Sequence, residues 1–219
     1  MKLNVLITGA SSGIGYEFAK VCAEKGHDLI LVARREDTLK VMKQDLERAS
    51  GITVTILACD LSKSSAPEEI FHSLNRQQIP VDVLVNNAGF GDFGPFANAD
   101  WKKLGEMIQV NITTLTHLTK LFLPGMIERK NGKILNIAST AAFLPGPLMA
   151  VYYATKGYVL QFSEALAKEL QGTGVTVTVV CPGPTETGFQ ATAGSRQSKL
   201  IEGKKLPTAR HVAQYGYDA

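Results

Sequence analysis

Leu3-Asn4-Val5-Leu6-Ile7-Thr8-Gly9-Ala10-Ser11-Ser12-Gly13-Ile14-Gly15 decides the fold. An apolar run of strand length gives way to a glycine-rich turn, and the turn to an amphipathic stretch from Ile14 to about Lys25. A strand that feeds a helix through glycines builds an anion site, because the unpaired N–H groups and the dipole of the helix start face it. Gly9 sits where the backbone turns, and Gly13 and Gly15 where it approaches a pyrophosphate and packs helix against strand. The spacing is G-x-x-x-G-x-G, not the commoner G-x-G-x-x-G. A glycine turn without a ligand is the competing reading. The position between strand and helix favours a dinucleotide, with Ser11, Ser12 and Ile14 beside the glycines as its contacts.

The alternation continues downstream. Leu29 to Val32, Val54 to Ala58, Val81 to Val85, Lys133 to Ala138 and Val175 to Val180 are near-continuous aliphatic runs, as parallel strands covered on both faces require. Amphipathic stretches lie between them, over Arg35 to Ser50, Pro67 to Asn75, Asp100 to Met126 and Tyr152 to Leu170. Gly26, Gly51, Pro124-Gly125 and the pair Gly172 and Gly174 read as stops. The expected fold is α/β: a doubly wound parallel sheet of Rossmann type, six visible strands flanked by helices. A seventh and final strand is apparently missing, so either the sheet has six strands or the chain is cut short. Thr208 to Tyr217 reads as a last short helix, and residues 1–219 as one catalytic domain.

Composition narrows the class. The 219 residues, 45% hydrophobic and 20% charged, can bury a substantial core. A net charge of +3 without a lysine/arginine block gives no reason to expect a nucleic-acid partner. No apolar run is long enough to span a bilayer, and Gly9 follows Val5-Leu6-Ile7 too early for the apolar region of an export signal. Cys22, Cys59 and Cys181 are odd in number and lack metal spacing, so reduced thiols in a cytoplasmic protein and no metal site are expected.

The residues after the second strand bear on cofactor choice. An acid there would bind the ribose hydroxyls of NAD, but the sequence has Ala33-Arg34-Arg35. Arg34 can pair with a 2′-phosphate and stack on adenine, with Ser11 adding a hydrogen bond, so NADP(H) is expected in preference to NAD(H). A solvated charge pair at a helix start is the alternative, and Arg35 reads as that. Asp60 and Leu61 follow the third strand, where Asp60 can accept from the adenine amino group. Asn86, Asn87, Ala88 and Gly89 end the fourth; they are turn chemistry or the lining of the nucleotide crevice.

A second constellation lies in the other half. Tyr152 and Lys156 are one helical turn apart on one face. A phenol with pKa near ~10 exchanges protons poorly at neutral pH, and a neighbouring ammonium brings that pKa down. Such pairs also arise by chance; Tyr153, three residues before Lys156, reads as packing. Ser139 ends the fifth strand, at the same sheet edge as Gly9, Asp60 and Asn87, and can hold a substrate carbonyl. It is otherwise a polar strand end or a cap. Asn111 is a poor helix former inside a long helical stretch, which a buried backbone or water contact would explain.

Together these motifs resemble the short-chain dehydrogenase/reductase family, from the first strand to about Phe189, including the run Pro182-Gly183-Pro184-Thr185-Glu186-Thr187. The resemblance implies that Tyr152 exchanges a proton with the substrate oxygen and that Lys156 lowers the tyrosine pKa and binds the nicotinamide ribose. It implies that Ser139 orients the substrate and that Asn111 holds a water in a proton relay. Pro182, Gly183, Thr185 and Thr187 would secure the nicotinamide end. A homodimer or homotetramer is implied by resemblance, with Leu115, Leu118, Leu121, Phe122, Val159, Leu160 and Phe162 serving core or interface.

The activity expected is interconversion of a carbonyl and a secondary alcohol on an apolar small molecule or an acyl substrate. Phe90, Phe93, Phe96, Phe143, Leu144, Pro147 and Met149 flank the site and favour an apolar substrate, or pack under loops. Residues 189–207 read as a substrate lid. A non-catalytic dinucleotide sensor and a nucleotide-sugar epimerase or dehydratase are the alternatives. The presence of both Tyr152 and Lys156 weighs against the first, and the glycine spacing against the second.

Overall fold

The computed structural model describes residues 2–189, 193–194 and 206–219. Six parallel strands, β1 (Asn4–Thr8), β2 (Asp28–Ala33), β3 (Val54–Ala58), β4 (Val83–Asn86), β5 (Gly132–Ile137) and β6 (Val175–Val180), lie in the order β3-β2-β1-β4-β5-β6. Chain order reverses between β1 and β4, so the connections leaving these two strands run to opposite faces of the sheet and a crevice opens beyond their carboxyl ends.

Period-two alternation divides the core into two layers. Val5, Ile7, Leu29 and Leu31 point to α1 (Gly13–Glu24) and α2 (Glu36–Ser50), while Leu6, Ile30 and Val32 point to the opposite face. On that face lie α3 (Ala66–Arg76), α5 (Leu115–Glu128) and α6 (Ala150–Glu169). Among the described residues the sheet has six strands; after β6 the chain forms α7 (Ala209–Asp218), which packs Val212 and Ala213 into the α1 layer. Leu115, Leu118, Phe122 and Val159 are buried in the core of this chain.

The stretch from Asp100 to Met126 departs from a single helix. Helix α4 (Trp101–Ile108) passes through a π-helical turn, Gln109–Thr114, into α5. Helix α5 also runs through Pro124, a stop by its sequence pattern, to Glu128. Proline removes one hydrogen bond near the helix end, but Met126 is fully buried and Arg129 donates to the Val81 carbonyl at 2.8 Å, which holds the last turn. Gly26 and Gly51 end their helices with φ of 80° and 64°, in the left-handed region.

Candidate active site

Everything at the switch point hangs on Thr8. Its hydroxyl donates to the Val85 carbonyl (3.2 Å) and accepts from the Asn87 and Ala88 N–H groups (3.0 Å each). The Asn87 side chain returns a hydrogen bond to the Thr8 carbonyl at 2.8 Å. The end of β1 and the turn after β4 are thus one rigid piece. Asn86, by strand alternation, points inward instead, donating to Thr119 and to Asn136.

The glycine turn fits a pyrophosphate. Gly9 and Gly13 have φ of 66° and 57°. A Cβ on Gly15 would come within 3.0 Å of Asn87 Nδ2 and the Gly9 carbonyl, so helix and strand meet here at backbone distance. Helix α1 has no acid in its first turn and Ser12 makes no side-chain cap bond, leaving the helix start suited to an anion.

From this turn a cleft of about 1290 Å3 runs along the carboxyl edge. That exceeds the ~300–1,000 Å3 of pockets for one small ligand and suits a dinucleotide beside a second molecule. Gly9, Ser11, Ser12, Gly13 and Ile14 line one end, with Arg34, Asp60 and Leu61 beside them. Asn87, Ala88 and Gly89 form the middle wall, and Ser139, Tyr152 and Lys156 the far end. Pro182, Gly183, Thr185 and Thr187 close over it, with the Thr187 methyl 3.4 Å from where a Gly13 Cβ would stand. Gly15 and Asn111 lie behind the wall rather than in it.

Arg35 is exposed, as a solvated charge is expected to be, and it also bonds the glycine turn. Its guanidinium donates to the Ser11 carbonyl (2.8 Å) and hydroxyl (3.1 Å), and it lines the cleft beside Arg34. Both arginines are exposed and line the cleft. Asp60 accepts from the Ser62 N–H and hydroxyl, and these bonds hold its carboxyl below the usual range.

At the reacting end, Tyr152 and Lys156 are 8% and 5% exposed, and the ammonium lies 5.9 Å from the phenol ring centre. The sequence-based expectation of a lowered tyrosine pKa is not met. Burial pushes the phenol up to about 12, against a hydrogen bond from Ser139, and pushes Lys156 down to about 8. Desolvation dominates at Lys156 because no carboxylate among the described residues faces it, and its Nζ instead donates to the Ile137 carbonyl at 2.7 Å. Ser139 also caps the short 3-10 turn Thr140–Phe143, accepting from the Ala141 N–H. Asn111 sits in the π turn and ties elements together. Its side chain exchanges hydrogen bonds with both backbone groups of Phe90 (3.1 and 3.0 Å) and donates to Thr155 on α6.

Phe189 is a site residue that sequence pattern alone does not single out. Its ring lies 5.3 Å from that of Tyr152. In the sequence it stands only at the boundary of the expected lid, most of which lies outside the described residues. The flanks of that segment meet where Glu186 bridges Thr208, and the Glu186 N–H donates to the Pro207 carbonyl at 2.9 Å.

Known proteins share this arrangement. The family model described as short chain dehydrogenase matches residues 3–198, which makes the chain an oxidoreductase of that class. It belongs to the short-chain dehydrogenase/reductase family. It is 41% identical over 180 residues to the NADP-dependent 3-hydroxy acid dehydrogenase YdfG of Salmonella typhi, covering 82% of this chain and 71% of that protein. Among solved structures it resembles a short-chain dehydrogenase from Sphingobium yanoikuyae in complex with NADPH, at TM-score 0.91 and 33% identity over 99% of this chain and 84% of that one. It also resembles a short chain dehydrogenase/reductase from Burkholderia phymatum in complex with NAD, at TM-score 0.89 and 28% identity over 100% of this chain and 85% of that one. The family fold thus serves nicotinamide dinucleotides of both kinds. Among the described residues, no helix is long and apolar enough to cross a membrane.

Proposed function

We propose that the protein is an NADP(H)-dependent oxidoreductase that interconverts a carbonyl and a secondary alcohol on a small molecule. One observation carries the reading: Ser139, Tyr152 and Lys156 stand at the far end of the cleft that begins at the glycine turn. A bound nicotinamide supplies or accepts the hydride. Tyr152, held neutral by burial, is a proton donor to a carbonyl oxygen in reduction and takes the proton back in oxidation. Ser139 holds the same oxygen through its hydroxyl. Lys156 has three donors, one engaged by Ile137, and stands beside Gly89 within reach of ribose hydroxyls. As its ammonium it also stabilises the phenolate left after proton transfer. Asn111 positions these groups by tying the loop at Phe90 to α6.

The preference for NADP(H) is supported by Arg35 bonded to Ser11, Arg34 beside it on the cleft wall, and no acid at the end of β2. Parallel fluorescence titrations with NADPH and NADH, together with turnover of a ketone panel, test the proposal. Tight NADPH binding, weak NADH binding and turnover lost in Tyr152→Phe are expected. Equal turnover in wild type and Tyr152→Phe refutes the assigned chemistry.

A further inference from the structure

We infer that Thr155 is a positioning residue for the reacting pair, holding Tyr152 and Lys156 in register with the π turn through its hydrogen bond to Asn111. This rests on the carbonyl/alcohol reading above. Thr155 stands on α6 between the two, three residues after Tyr152 and one before Lys156, and is 1% exposed. Its hydroxyl donates to the Tyr152 carbonyl at 2.7 Å and accepts from Asn111 Nδ2 at 3.0 Å. A hydroxyl has one proton to give, and here it goes to its own helix. The oxygen can therefore meet Asn111 only as an acceptor. Asn111 has the matching polarity: its other Nδ2 hydrogen goes to the Phe90 carbonyl at 3.0 Å, and its Oδ1 takes the Phe90 N–H at 3.1 Å. Turning the amide over would set donor against donor at the Phe90 N–H, so a single orientation satisfies every group.

The bond bears directly on the reacting end. Asn111 and Lys156 both come up against Gly89 in the cleft wall, where a Cβ would stand 3.2 Å from Asn111 Oδ1 and 3.4 Å from Lys156 Nζ. A shift of α6 against the π turn therefore moves the ammonium and the phenol together, relative to that wall and to Ser139 on the end of β5. Displacements of about 1 Å in a reacting group cost on the order of 100-fold in rate.

A second bracket on the same helix supplies the contrast. Ser163 is also 1% exposed; its hydroxyl donates to the Val159 carbonyl at 2.6 Å and accepts from Asn136 Nδ2 at 2.8 Å. The construction is the same, a hydroxyl bonded back onto α6 and met by a buried asparagine. Only the place differs, since Ser163 lies about two turns beyond Lys156 and beside neither reacting group. Loss of either hydroxyl strands an asparagine N–H in the interior, so the two losses should cost stability alike. Only the loss at Thr155 should reach the reaction.

The test uses the full chain with NADPH and two probe ketones, acetophenone and ethyl acetoacetate, followed by loss of nicotinamide absorbance. Thr155→Val keeps the shape of the side chain and removes its hydroxyl; kcat should fall about 30-fold while KM for the ketone stays within about threefold. Thr155→Ser returns the hydroxyl and should bring kcat back to within about threefold of wild type. Ser163→Ala should lower Tm about as much as Thr155→Val does, by about 2–8 °C, and leave kcat within about threefold. Thr155→Ala removes the same hydroxyl with less bulk and keeps the test decisive should Thr155→Val fold poorly. A kcat near wild type without the Thr155 hydroxyl, a loss that falls on KM instead, a serine that fails to restore kcat, or an equal loss of kcat in Ser163→Ala each overturns this inference and leaves the proposed function standing. NADPH binding with no wild-type turnover of either ketone, or of the corresponding alcohols with NADP+, overturns both.

Discussion

Replacing Thr8 with valine removes one oxygen from a residue 2% exposed and leaves its shape almost unchanged. That oxygen accepts two N–H groups, from Asn87 and Ala88, and donates to the Val85 carbonyl. The carbonyl loses a modest bond. The Ala88 N–H loses its acceptor in a half-buried turn, at a cost of about 1–3 kcal/mol, whereas the Asn87 N–H keeps the Val85 carbonyl at 3.1 Å. Because Ala88 retains some exposure, the lower half of that range applies, and with the bond lost at Val85 about 2 kcal/mol in all is expected. For a chain of this size that lowers Tm by about 4–8 °C. NADPH affinity should fall too, because the turn that lines the middle of the cleft no longer has a fixed relation to the glycine turn. Thermal unfolding and NADPH titration on wild type, Thr8→Val and Thr8→Ser decide the matter, the serine variant retaining the hydroxyl and with it most of the stability. A Thr8→Val protein that melts and binds NADPH like wild type refutes the role given to this hydroxyl.

Three further perturbations have definite expected outcomes. Lys156→Met should abolish turnover yet stabilise the chain by about 1–2 kcal/mol at pH 7, since desolvation of the ammonium outweighs its bond to Ile137. The lysine is depressed to about 8 in the folded protein against 10.5 as its ordinary value, so wild-type stability rises with pH between the two. The urea midpoints of wild type and Lys156→Met should therefore differ at pH 7 and converge by about pH 10.5; a gap that persists argues against a buried ammonium. Gly15→Ala overpacks the contact with Asn87 and the Gly9 carbonyl, costing about 1–3 kcal/mol and most of the dinucleotide affinity; calorimetric binding close to wild type would contradict the close packing. His27 accepts from the Leu3 N–H at Nδ1 and meets the Tyr217 hydroxyl at 2.9 Å, and burial lowers its pKa. Its contribution is complete above about 6.5 and is lost as pH falls through the lowered value. Melting curves at about pH 8 and about pH 5.5 should show a drop in wild type that His27→Asn diminishes.

The strand pattern is legible in the sequence because burial on both faces leaves no choice but aliphatic runs, and β1, β2, β3 and β6 lie within a residue or two of their expected bounds. The switch-point residues are legible for a related reason: Gly9, Asp60, Asn87 and Ser139 each come just after a strand, and the topology brings strand ends together. Features set by geometry within an element are not legible. The π turn leaves no periodic mark strong enough to break the helical reading of Asp100 to Met126. The bond from Arg35 to Ser11 depends on the rotation of the chain entering α2. The raised Tyr152 pKa depends on burial, which a sequence does not state, and Thr8 reads as the last residue of a strand although its hydroxyl organises the turn opposite.

The π turn at Gln109–Thr114 amounts to one surplus residue in a helix, and a surplus residue rotates the downstream helix by about 100°. Upstream, Leu104 and Met107 face the group around Tyr152 and Phe189; downstream, Leu118 and Phe122 face the sheet. Without the surplus residue, one of those two stripes would be turned to solvent. The turn therefore works as a gear change between two surfaces served by one continuous rod. Deleting a single residue there would repair the helix by every local measure and yet unseat either the packing around Tyr152 or the core.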